Sequence, residues 1–195
     1  MCGQFLVSEE IVDSLRHLVP REHWEEIELD LHPRVIYPSA RTIAVCARDQ
    51  ALNLSVMTFG FASSSMNRRI FNARLETASS KPLFARAWRS NRVAVPATAF
   101  YEWTPDKEKI TFDEPGRVLY LAALALDDQF IILTQDANES VAPYHHRMPV
   151  ILQEDQVPAW VLDSAQSAIL GQNASPALHA ILPEEPLTLF LNFLV

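Results

Sequence analysis

The chain predicts an α+β fold: one domain built on a mainly antiparallel sheet or barrel, with a few helices beside it. Three observations predict it. Short apolar and β-branched runs recur along the chain between Pro, Asp and Asn punctuation, which is the signature of strands. These runs are not interleaved with regular helical segments, so a doubly wound parallel sheet is excluded. The 195 residues, 49% apolar and 21% charged, suffice for one filled core and are few for two.

The first helix is expected over about residues 9 to 19. Ser8 is placed to cap it, Glu9 and Glu10 occupy the first turn, Ile11, Val12, Leu15, Leu18 and Val19 recur at helical spacing, and Pro20 stops it. Strands are expected at Thr42–Ala47, Leu52–Phe59, Val93–Val95, Ala99–Trp103, Val118–Leu126, Phe130–Thr134, Val150–Leu152 and Leu187–Leu194. Asp127-Asp128-Gln129 reads as a hairpin connection. A second helix is expected from Pro82 to Arg89, capped by Ser80 with Pro82 in the first turn. A third follows Pro158 through Leu162 and continues or restarts near Ser164 to Leu170.

Composition excludes several function classes. Only four glycines are present, Gly3, Gly60, Gly116 and Gly171, so there is no phosphate-cradling loop and no nucleotide cofactor is expected. No Cys-x-x-Cys or His-x-x-x-His spacing points to a metal. No apolar run is long enough to cross a bilayer, and a soluble, cytoplasmic monomer with no membrane partner is expected. Cys2 and Cys46 are then thiols rather than a disulfide.

Sixteen basic and 24 acidic residues give a net charge of −8, which opposes indiscriminate binding to a polyanion. The charge is unevenly spread. Arg68, Arg69, Arg74, Lys81, Arg86, Arg89 and Arg92 face a single acid, Glu76, within 25 residues. That stretch is consistent with a local anion site, and a solvated helix face accounts for part of it equally well.

Chemistry is concentrated in four segments. Met1-Cys2-Gly3 becomes, once Met1 is removed, an N-terminal cysteine with an amine and a thiol on adjacent carbons. Their ordinary pKa values, about 8 and about 8.5, leave each a useful deprotonated fraction at neutral pH. The others are Asn72-Ala73-Arg74-Leu75-Glu76-Thr77, Phe100-Tyr101-Glu102-Trp103 and His145-His146-Arg147-Met148-Pro149. Singly, each also reads as ordinary structure: Asn72 as a turn cap, Glu102 as the outward residue of a strand, the histidines as loop residues.

Together and in this order, the four segments resemble the SOS response-associated peptidase (SRAP) family, over residue 1 to about residue 152. The resemblance implies a compact domain with a β-barrel-like core. It also implies that the mature terminal cysteine links covalently to abasic sites in single-stranded DNA. On the matching positions the reactive set is Cys2, Asn72, Glu102 and His145, while Arg74 and Arg147 hold phosphates; Glu76 and Thr77 are expected to order their loop. The chain departs from the family pattern at Phe59-Gly60-Phe61, at Val93, at Ala99 and at Val35-Ile36-Tyr37-Pro38, which leaves open which aromatics, such as Phe59, Phe61 or Trp103, stack on bases.

The residue types suit the reaction that the resemblance implies. His145, with an ordinary pKa near ~6.5, acts as acid or base in opening the sugar. The Cys2 amine forms an imine, Glu102 protonates the departing hydroxyl, and the thiol closes a thiazolidine. Weak abasic-site lyase activity would share the imine. The competing enzyme reading is a cysteine peptidase using Cys2 on the protein's own Met1 or on a partner. A glutamine amidotransferase also begins Met-Cys-Gly, but no Asn-Gly occurs in the chain. A non-enzymatic interaction domain is the remaining competitor.

Overall fold

The computed structural model describes residues 2–24, 33–62, 69–163, 165 and 175–183. In chain order the elements are β1 (Gln4–Val7), α1 (Ile11–Leu18), β2 (Arg34–Ile36), β3 (Arg41–Arg48), β4 (Ala51–Phe59), β5 (Asn72–Arg74), α2 (Leu75–Ala78), α3 (Pro82–Ser90), β6 (Arg92–Ala97), β7 (Ala99–Trp103), β8 (Lys109–Asp113), β9 (Leu119–Leu126), β10 (Gln129–Asp136), β11 (Arg147–Pro149), β12 (Ile151–Leu152), α4 (Val157–Leu162) and β13 (His179–Ile181). The fold is α+β and sheet-dominated, as expected.

Strands β9 and β10 are nearly continuous apolar runs because both of their faces are covered: Leu119 through Ala125 and Phe130 through Thr134 are all buried. They form a hairpin in which Asp127 takes a positive φ of 53° at the connection. Around this hairpin the larger sheet closes on itself, β10 to β4, β4 to β3, β3 to β6, β6 to β9 and β9 back to β10. The ring is not a clean barrel. β3 meets β6 through the single pair Val45 and Ala94, and β10 meets β4 in parallel over two residues. A five-stranded sheet, ordered β13-β8-β7-β1-β2, supplies the second layer. Phe5, Phe59 and Phe130 interlock between the layers, with ring centroids at 5.5 and 5.2 Å.

Helix α1 buries Ile11 and Leu15 at i, i+4 spacing. Its expected cap is corrected: Glu10 occupies the capping position, and Ser8 contributes its backbone carbonyl to the Ile11 N–H rather than its hydroxyl. Ser80 likewise does not cap α3. Lys81 holds that position, and the Ser80 hydroxyl donates to the Thr77 carbonyl, closing the turn after α2. Gly60 ends β4 at φ 90°, and a Cβ there would come within 2.7 Å of the Arg69 side chain. The expected strand at Leu187–Leu194 and the helical continuation over Ser164–Leu170 lie outside the described residues, apart from residue 165.

Candidate active site

Three sheet pairings bring distant segments to one place. β1 lies antiparallel to β7, with Gln4 opposite Tyr101 and Phe5 opposite Phe100, so the residues just before Gln4 run toward Glu102 and Trp103. β5 pairs in parallel with β10, Asn72 opposite Ile132 and Arg74 opposite Thr134. β11 pairs on the same stretch of β10, Arg147 opposite Asp136, which brings the His145 loop beside the Asn72 strand.

The side chains then converge on Cys2. Asn72 donates from Nδ2 to the Cys2 carbonyl at 3.0 Å and is also 3.4 Å from the Ile132 carbonyl. Its Oδ1 is buried with no hydrogen-bond partner among the described residues. Glu102, 2% exposed, is close enough for its charge to act on the Cys2 thiol, and its Oε2 lies 3.8 Å from His145 Nδ1. The same His145 nitrogen sits 2.8 Å from the Arg147 carbonyl oxygen and 3.1 Å from the Arg147 backbone nitrogen. Protonated, it donates to the carbonyl; bare, it accepts from the N–H. The imidazole can therefore change protonation without turning.

Burial sets the electrostatics. It raises the Glu102 carboxyl above the usual range and lowers His145 below its ordinary value, so a neutral imidazole faces a carboxyl that keeps its proton more readily. Cys2 departs most from expectation. It is fully buried in the chain that carries Met1, where its nitrogen is still an amide, and burial together with the Glu102 charge pushes the thiol far above neutral pH. The ordinary thiol pKa read from the sequence does not hold there. Gly3, Asn72 and His145, around it, are each only partly buried.

Two expected phosphate ligands separate. Arg74 is exposed on β5. Arg147 is 5% exposed, donating from Nη1 to Glu76 Oε1 at 2.7 Å and Asp136 Oδ1 at 2.6 Å, and from Nη2 to Glu76 Oε2 at 3.1 Å and the Thr134 carbonyl at 2.6 Å. Its guanidinium is occupied by protein oxygens and ties α2 to β10 and β11. Glu76 thus orders its loop, through a partner that the sequence had assigned to DNA. Asp136 and Thr134 escaped the sequence reading because nothing local marks them. Among the aromatics, Phe59 and Phe61 are buried in the core and cannot receive a base, while Trp103 remains half-exposed. Lys109 Nζ lies 3.6 Å above the Tyr101 ring and 6.0 Å from the Trp103 ring.

The described residues hold no cluster of His, Cys, Asp or Glu suited to a metal ion, and no helix among them is long and apolar enough to cross a membrane. The profile of the SOS response associated peptidase (SRAP) family matches residues 1–184. The chain belongs to that family. Relatives of this SRAP protein include the Escherichia coli K12 abasic site processing protein YedK, 25% identical over 191 residues covering 90% of this chain and 84% of YedK. The Bacillus subtilis abasic site processing protein YoqW is 28% identical over 181 residues, covering 83% and 80%. Among solved structures, a phage-related protein of Bordetella bronchiseptica superposes with a TM-score of 0.76 at 24% identity, over 94% of this chain and 95% of that one. A Bacteroides thetaiotaomicron protein does so with a TM-score of 0.71 at 19% identity, over 93% and 91%. These two share the fold.

Proposed function

We propose that this SRAP protein processes abasic sites in DNA by forming a covalent thiazolidine link through Cys2 after Met1 is removed. The convergence of Asn72, Glu102 and His145 on the Cys2 backbone and thiol carries this reading, and the names of YedK and YoqW support its substrate. Neutral His145 takes the proton from the anomeric hydroxyl as the bond from that carbon to the ring oxygen breaks, and returns it to the freed oxygen, which leaves the open-chain aldehyde and a hydroxyl. The Cys2 amine, aligned by Asn72, adds to that carbon, and Glu102 gives a proton to the departing hydroxyl, so that one water leaves and an imine remains. The thiol then adds across C=N: a C–S bond forms and the thiol proton ends on the ring nitrogen.

Attack by the amine before the sulfur agrees with the thiol's high pKa, since a protonated sulfur is a poor first nucleophile and the closure is intramolecular. The same property weighs against a Cys2 thiolate hydrolysing peptide bonds in the Met1-bearing chain. Single-stranded DNA suits the enclosed terminus better than a paired helix, because the sugar must leave the stack to reach it. Weak lyase activity would follow from β-elimination at the imine. Arg74 is the exposed cation for a flanking phosphate, Arg147 positions His145 and α2, and Trp103 is the aromatic available to a base.

Glu102→Gln tests the acid. Adduct formation on abasic single-stranded DNA should slow by about 10²–10⁴-fold, the usual span of a positioned proton donor. In a Cys46→Ser background, alkylation of Cys2 should shift to lower pH, because the charge that adds to burial in holding the thiol up is gone. An unchanged rate would remove Glu102 from the chemistry. Arg74→Ala should lower the salt slope of DNA binding by about 0.7, one phosphate on a single strand; the same slope as wild type would place that phosphate elsewhere.

A further inference from the structure

We propose that the solvent-facing side of α3 binds the sugar–phosphate backbone of the DNA strand several nucleotides away from the abasic sugar, a reading that rests on the function proposed above. The structure sorts the basic stretch of the sequence into working and structural cations. Arg92 is 4% exposed and spends its guanidinium on the carbonyls of Trp160, Trp88 and Arg89, fastening α3 to α4. Arg69 is turned onto the Gly60 carbonyl. Arg68 lies outside the described residues. Arg74, Lys81, Arg86 and Arg89 remain, all exposed, and none pairs with a carboxylate among the described residues. Glu76, the acid of that stretch, is engaged by Arg147.

Arg86 and Arg89 share one face of α3, and Lys81 stands at its N-terminal end. α3 buries Phe84 and Ala87, and at 100° per residue Arg86 and Arg89 fall on the opposite side, three residues apart and so neighbours. The chain leads directly from the candidate site to the N-terminal end of α3. Asn72 and Arg74 share β5, α2 follows at once, and the Thr77 carbonyl receives the N–H groups of Ser80 and Lys81, which starts α3 a single turn further on. Nine helical residues rise about 13 Å, the length of roughly four nucleotides at the ~3.4 Å per-strand spacing of B-form DNA. In a protein of net charge −8, a strand is repelled by most of the surface, and exposed cations that make no ion pair among the described residues are where its backbone gains.

The test uses mature protein, with Met1 removed, and single-stranded oligonucleotides carrying a tetrahydrofuran abasic analogue, which has no aldehyde and binds without reacting. For a 15-mer with a central analogue, R86A/R89A should weaken binding by several-fold to tenfold and lower the salt slope by about 1.4, two single-strand phosphates at about 0.7 each. For a 5-mer the variant should bind as wild type. Thermal melts check the fold, which such exposed substitutions should leave intact. Equal affinity and slope on the 15-mer would overturn the inference, and so would the same loss on both lengths or no binding of the 15-mer by wild type. Failure of the covalent chemistry is scored separately, as absence of adduct by wild-type protein on aldehyde-bearing DNA.

Discussion

Cys2→Ala, expressed so that Met1 is removed, is expected to abolish the heat-stable protein–DNA adduct while leaving binding to abasic single-stranded DNA near the wild-type level. Alanine keeps the α-amine, so the imine still forms, but an imine hydrolyses when the sample is heated or diluted and only the sulfur closes a ring. The closure is favoured because amine and sulfur share one residue, a geometry that in intramolecular reactions reaches effective concentrations of about 10⁵–10⁸ M. Intact mass should show wild-type protein plus DNA less one water, and for the variant only free protein. Borohydride should trap the variant's imine, since reduction needs no thiol. A chain that retains Met1 has an amide where the amine is required and should give neither product. Cys46→Ser is the control: Cys46 lies on β3, paired with Asn53, and its replacement should leave the adduct intact. A heat-stable adduct from Cys2→Ala, or from protein with residues fused ahead of Cys2, would remove the thiazolidine reading.

The strands that could be read from the sequence are those whose pattern is fixed by their own burial. Ala99–Trp103 matches β7, and the runs that became β3, β4, β9 and β10 are apolar because each packs inside the closed ring. The strands that escaped are three to five residues long and held by their partners. β5 and β11 are strands because they pair with β10, and their residues, Asn-Ala-Arg and Arg-Met-Pro, carry no strand signal. These are also the strands that position the site, so motif order could nominate Asn72 and His145 while local pattern could not say what held them. The caps failed for a related reason: Ser8 and Ser80 have suitable side chains, but the turns before α1 and α3 are closed by backbone and by Thr77. Burial was the other hidden quantity. Nothing in Met-Cys-Gly discloses that the thiol is enclosed beside a carboxylate, and nothing around Arg147 discloses two acids from elsewhere in the fold.

Those two acids make the Arg147 cluster the second place where a small change should have a large effect. Burial works against the guanidinium's charge, and the hydrogen bonds it donates to Glu76 and Asp136 outweigh it, holding Arg147 charged; in return Arg147 holds the Glu76 carboxyl below its usual range. Glu76→Gln with Asp136→Asn leaves a guanidinium that is 5% exposed without a counter-charge. Breaking a fully buried pair costs about 3–5 kcal/mol. Glu76 and Asp136 are themselves 48% and 90% exposed, so water screens the loss and about 2–3 kcal/mol is expected, roughly 5–10 °C in Tm for a chain of this size. Arg147→Met should cost less, because it releases two carboxylates that already reach water and keeps most of the packed stem. The dependence on pH separates this account from simple loss of packing. The depressed Glu76 carboxyl stabilises the fold above its unfolded pKa, about 4.3, and that contribution is lost as pH falls through the lower folded value. Urea titrations should therefore show the gap between wild type and the double variant at full size near pH 7 and shrinking below about pH 4. Adduct formation should slow as well, because Arg147 joins the strand of Asn72 to the loop of His145, and a displacement of about 1 Å at a reacting group can cost 10²-fold. A gap that stays constant from pH 7 to pH 3 would mean that the pair contributes by shape rather than by charge.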